Sequence, residues 1–148
     1  MIEADDAQAQ LSYELAVYRE QISMIKRETE RVSLTTIDLT NALKTAESLS
    51  EERTLIPIGG GAFIKGSVSQ TWVLVPIGGE YLLDMERQEA VDELRRRIEA
   101  TRKAIEKLND EFNRIVNKLK EVSGQLQKMQ SQTALSRHVD ENVQDDYI

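Results

Sequence analysis

The 148-residue chain has no cysteine. That excludes disulfides and thiolate metal sites, and it is compatible with a reducing compartment. Its one histidine is His138. A single imidazole without a thiol argues against a metal centre or a nucleophilic triad, so His138 reads as a solvated tail residue. Aromatic residues make up only 5% of the chain, against 30% charged residues. That balance describes long helices better than a compact globule. No apolar run approaches the ~20 residues of a membrane span. The opening stretch, MIEADDAQAQ, lacks the basic-then-apolar pattern of a secretory signal. A soluble, cytoplasmic protein is the expectation. The formal charge of −7 argues against a nucleic-acid binder, which must neutralise phosphates.

Glycine and proline are scarce everywhere except in one stretch. Residues 55–85, LIPIGGGAFIKGSVSQTWVLVPIGGEYLLDM, hold six of the seven glycines, both prolines and the only tryptophan. The stretch repeats itself. Ile56-Pro57-Ile58-Gly59-Gly60 is answered by Val75-Pro76-Ile77-Gly78-Gly79. Gly78-Gly79 separates two apolar runs as a two-residue hairpin loop would, and Gly59-Gly60-Gly61 reads as a three-residue loop. The spacing predicts strands at 55–58, 62–68, 72–77 and 80–85, joined by Ser69-Gln70-Thr71. Gly66 suggests a bulge or a bend. Both faces of these strands are apolar, and a four-stranded sheet would leave two open edges. Strands from other subunits are therefore expected to complete it as a closed barrel. Ile56, Ile58, Phe63, Ile64, Val68, Val73, Leu74, Val75, Ile77, Tyr81 and Leu82 are the candidate oligomerisation residues.

On either side runs a heptad seam. The first is Leu11, Leu15, Tyr18, Ile22, Ile25, Thr29, Val32, Thr36, Leu39, Leu43 and Ala46. The second is Val91, Leu94, Ile98, Thr101, Ile105, Leu108, Phe112, Ile115, Leu119, Val122, Leu126 and Met129. Spacings of three and four alternate without a slip, as in a coiled coil. Thr29 and Thr36 are the weak members and imply looser packing. Helices are expected over 8–52 and 86–133, with a polar lead-in before them and a flexible tail at 134–148. Asp84 is placed to cap the second helix. Residues 1–52 carry a net charge of −6 and residues 85–133 a net of +2. An antiparallel pair within one chain avoids the repulsion of two acidic helices in a parallel homodimer, although each exposed ion pair contributes only ~0–1 kcal/mol.

Candidate chemistry is thin. Gly61-Ala62-Phe63-Ile64-Lys65-Gly66-Ser67 fails as a phosphate loop because Lys precedes Gly and strands flank it. Glu51-Glu52 and Asp145-Asp146 have no apolar surroundings to raise a pKa. Arg95-Arg96-Arg97 reads as the outer face of a coiled coil, with docking to an acidic partner as the alternative. At the helix ends remote from the hairpins, Leu11, Tyr13, Leu15, Val17, Leu126, Met129 and Leu135 form either an ordinary last heptad or an exposed apolar binding surface.

The order helix, two hairpins, helix, with Ile56-Pro57-Ile58-Gly59-Gly60-Gly61-Ala62-Phe63-Ile64-Lys65-Gly66 and Val73-Leu74-Val75-Pro76-Ile77-Gly78-Gly79-Glu80-Tyr81 at its centre, resembles the archaeal type of α-class prefoldin subunit. The β-class has a single hairpin between its helices. The resemblance implies an α+β fold: a long antiparallel intrachain coiled coil with two tandem hairpins at one end that complete an intersubunit β-barrel. It implies a hexamer of two α-class and four β-class subunits that holds non-native proteins by apolar coiled-coil tips and passes them to a group II chaperonin. No nucleotide, cofactor or catalytic residue is implied, so the chain is not expected to be an enzyme, and neither nucleic acid nor membrane is an expected partner. The alternative is a structural coiled-coil tether with a β-sheet oligomerisation module.

Overall fold

The computed structural model describes residues 2–49, 53–69 and 72–145, with side-chain surroundings through residue 139. Six elements follow one another: α1 (Ile2–Ser48), β1 (Arg53–Gly59), β2 (Ala62–Ser67), β3 (Trp72–Gly78), β4 (Tyr81–Glu86) and α2 (Arg87–Asp145). No described helix is long and apolar enough to cross a membrane. The chain divides into two compact units.

The first unit is Arg31–Ile105, which holds the end of α1, the four strands and the start of α2. Its core is Ala46, Val91 and Leu94, with Leu39 and Leu43 packed against it. All five are seam positions. The Thr36 hydroxyl lies 2.8 Å from that of Thr101, so contacts that climb α1 from 36 to 46 descend α2 from 101 to 91. The helices are antiparallel here. The last turn of α1 has no basic residue of its own. Arg87 supplies one from the start of α2. Its guanidinium donates to the carbonyl oxygens of Leu49 and Glu47, each at 2.7 Å. These are among the carbonyls that a helix end leaves without partners. Arg95 adds an ion pair to Glu47 at 2.5 Å.

The four strands do not form one sheet. β1 pairs only with β2, and β3 only with β4, each antiparallel. The two tandem hairpins, hairpin 1 (β1–β2) and hairpin 2 (β3–β4), are those the glycine spacing implies, but they are not joined into one four-stranded sheet, so four edges are open and not two. Both use one turn geometry. In the first, Gly60 and Gly61 have φ of 59° and 77°; in the second, Gly79 and Glu80 have φ of 58° and 64°. Two consecutive positive φ values are what a two-residue type I′ turn requires. The three-residue loop and the Gly78-Gly79 loop are therefore corrected to Gly60-Gly61 and Gly79-Glu80. Gly59 and Gly78 instead close bulges in which Ile58 and Ile77 are the extra residues. Gly66 is not the bulge. It pairs regularly with Thr54, and its missing side chain makes room for Ile56, whose Cδ1 would lie 2.9 Å from an added Cβ.

The helix boundaries also differ from expectation. Asp84 does not cap α2; it sits within β4 opposite Leu74, and the helix begins at Arg87. The period of two set by the turn carries the ladder through Glu86 before the helix can start. α1 begins at Ile2 and ends at Ser48, and α2 runs on to Asp145. The seam fades near Thr133, but no glycine or proline follows Gly124. A helix already nucleated propagates through such residues without needing a buried face. Gln70, Thr71, Glu51, Glu52 and Asp146 lie outside the described residues.

The second unit is Met1–Glu30 with Glu106–Ile148. Leu15, Ile115 and Val122 are buried in it. The Lys26 ammonium lies 5.9 Å from the centre of the Phe112 ring, within the range of a cation–π contact. All 23 seam residues in the two helices are buried or half-buried.

Candidate interaction surfaces

Four large apolar side chains of the hairpin stretch are sheltered by the chain itself. Val75 is 2% exposed, and Val68, Val73 and Met85 are half-buried. The other large apolar side chains here face solvent. Ile56, Ile58, Phe63, Ile64, Leu74, Ile77, Tyr81 and Leu82 are exposed, as are Leu55, Trp72 and Leu83, which the candidate set omitted. Leu55 and Trp72 could have been found from alternation, since they share the faces of Pro57 and Leu74. Such a density of exposed apolar groups exceeds what a lone soluble chain normally shows. An isolated two-stranded hairpin is also marginal in water.

The second unit presents a different set. Of the helix-end candidates, Tyr13 is 71% and Leu135 66% exposed, whereas Leu15 is only 6% exposed. Leu11, Val17, Leu126 and Met129 are half-buried. Leu15 belongs to the seam and offers little surface to a partner. Ile2 and Val139 are exposed and were missed, because residues 1–10 and 134–148 read as unstructured. Leu135 and Val139 are four apart on α2, so they share one helix face.

The arginine run is occupied within the chain. Arg95 pairs with Glu47, while Arg96 and Arg97 pair with Glu93 at 2.5 and 2.8 Å. Its outer-face reading accounts for all three side chains. The hydrogen bond from Arg97, assisted by Arg96, holds the Glu93 carboxyl below its ordinary value. Arg114 does the same for Glu111.

This arrangement recurs in known proteins. Residues 18–132 match the family model for prefoldin subunits, and the chain belongs to the prefoldin family. It is 26% identical over 121 residues to prefoldin subunit alpha 1 of Methanocaldococcus jannaschii, covering 78% of this chain and 85% of the relative. It is 30% identical over 129 residues to prefoldin subunit alpha of Methanobrevibacter smithii, covering 84% and 86%. The fold matches a chain of the filamentous PFD of M. jannaschii with a TM-score of 0.63 at 21% identity, covering 77% of this chain and 98% of that one. Membership of this family implies a chaperone function within prefoldin complexes.

Proposed function

We propose that this chain is a cytoplasmic α-class subunit that works without ATP, gripping non-native proteins through apolar side chains near its helix ends and passing them to a group II chaperonin. Its hairpins join those of other subunits in a β-barrel hub, with two α-class and four β-class chains per hexamer. The observation that carries the gripping role is the exposure of Ile2, Tyr13, Leu135 and Val139 in a unit whose seam is otherwise covered. A hydrophobic grip disfavours native clients, which hide their apolar surface. Several weak contacts acting together supply affinity through avidity.

The test is light scattering of a denatured protein diluted into buffer without ATP. The chain, assembled with a one-hairpin partner, should suppress aggregation. Trimming residues 1–17 together with 125–148 should abolish suppression while native mass still shows the hexamer. Unchanged suppression after trimming would overturn the assignment of the gripping surface.

A further inference from the structure

Opposite its seam, the start of α1 carries a second apolar line. At 3.6 residues per turn, Ile2, Ala9, Tyr13 and Ala16 fall within one sector of about 80°, with Asp6 among them. All five are exposed. Glu3 and Asp5, also exposed, border the line, and Glu14 is half-buried beside Tyr13. Glu3, Asp5, Asp6 and Glu14 form no ion pair with any described residue, and no base occurs before Arg19. The end of α2 adds the exposed Leu135 and Val139, with Lys128 and Arg137 as its bases. Residues 1–17 and 125–148 together hold two bases and eight acids, a net of −6, while residues 18–124 hold 17 bases and 18 acids. The charge of the chain is thus concentrated where its helix ends expose apolar groups. The helix dipole accounts for Glu3 and Asp5, which lie in the first turn of α1. It does not account for Glu14, or for three acids in the last six residues of α2 with no base in its last turn, because a helix C-terminus favours cations. Acid placed against the helix points to a role outside it.

We propose that this face of α1 selects non-native segments in which Lys or Arg alternate with large apolar residues. The apolar groups seat against Ile2, Ala9 and Tyr13, and the cations meet Asp6 and its acidic neighbours. The Tyr13 ring offers a cation a second contact through its face. A second copy of the chain cannot cover this line with its own, because the same acids would meet. Acidic segments are turned away for the same reason. Charge steers and selects, while apolar contact holds. The inference rests on the reading of the helix ends as the gripping surface, and it adds the chemical class of client.

Peptide binding tests it with the full-length chain assembled with a one-hairpin partner. The probes are three labelled, unstructured peptides of equal leucine content, whose other residues are Lys and Ser, Glu and Ser, or Ser alone. By fluorescence anisotropy the Lys peptide should bind about tenfold more tightly than the Glu peptide at low salt, as a few weak exposed pairs acting together would give. The gap should close as salt approaches about 1 M, where screening acts within ~3 Å. E3Q/D5N/D6N/E14Q should bring the Lys and Glu peptides to near-equal affinity. A gap that survives these substitutions belongs to the partner's helices and overturns the proposal. If the variant does not assemble, the salt titration of the wild type decides, and a gap that persists at high salt overturns the proposal. If the Ser peptide binds while the Lys and Glu peptides bind the wild type equally, selection by charge fails and the gripping reading stands. If none of the three binds, the gripping reading itself fails.

Discussion

Thr36 and Thr101 meet across the helix pair with their hydroxyl oxygens 2.8 Å apart. Thr101 donates to the Ile98 carbonyl at 2.8 Å, which leaves its oxygen free to accept from Thr36. Thr36 can instead donate to the carbonyl of Val32, 2.9 Å away. Every other seam residue within the first unit except Thr101 is apolar. A lone polar layer in an apolar seam fixes register at some cost in stability. In a double-mutant cycle of T36V and T101V, followed by denaturant unfolding, the coupling should be about 0.5–1 kcal/mol in favour of the native pair. The double variant should nonetheless be more stable than the wild type. Zero coupling would show that each hydroxyl serves only its own helix.

Glu80 is the one non-glycine residue with positive φ among the described residues, at 64°. Its counterpart in hairpin 1 is Gly61. A side chain in this region is strained by roughly 1 kcal/mol, and glycine is not. E80G should therefore raise the stability of hairpin 2 by about 0.5–1 kcal/mol, the strain relieved being partly offset by the greater freedom of glycine in the unfolded chain. Amide hydrogen exchange in β3 and β4 should slow accordingly. Faster exchange would mean that the Glu80 side chain contributes more than its backbone strain removes.

The two carboxyls held by arginines give a pH dependence of known sign. Glu93 and Glu111 both titrate below their ordinary value of 4.5 in the folded chain. A group that is more acidic when folded binds fewer protons there than in the unfolded chain. Its stabilisation is fully present above about pH 4.5 and is lost as the pH falls through the lower folded values. Helicity and melting temperature should therefore hold between pH 7 and 5 as far as these groups decide, and decline below. E93Q/E111Q should start lower at pH 7 and decline less. Equal slopes for the two proteins would sink the assignment.

Most of the fold was legible because it rests on periodic signals. The seams needed only alternate spacing of three and four, and the hairpins only glycine and alternation. What escaped was local or long-range. The turn positions depended on Glu80 adopting a backbone conformation that its residue type disfavours. The Arg87 contact with the end of α1 joins residues about 40 apart. The extension of α2 beyond the seam left no hydrophobic pattern to read. Thr36 looked like a weak point because a single sequence position cannot show that Thr101 faces it. For Leu15 the sequence left an ordinary last heptad and an exposed surface both open, because burial at a helix end depends on how far the partner helix continues, and α2 continues to Asp145.

The hairpins allow a sharper separation between folding and assembly. Val75 and Leu82 lie one cross-strand position apart in the same hairpin, yet Val75 is 2% and Leu82 56% exposed. Deleting methyl groups from a buried site costs transfer free energy and leaves a cavity, whereas truncating an exposed side chain changes little within the chain. V75A should therefore destabilise the isolated chain by about 1–3 kcal/mol, seen as a lower denaturation midpoint. L82A should leave that midpoint within ~0.5 kcal/mol. In the assembled complex the order should reverse in relative terms, with L82A lowering the yield of higher-mass species at matched concentration. If L82A left native mass unchanged as well, this face of hairpin 2 would be solvent-facing in the complex and would carry none of the association.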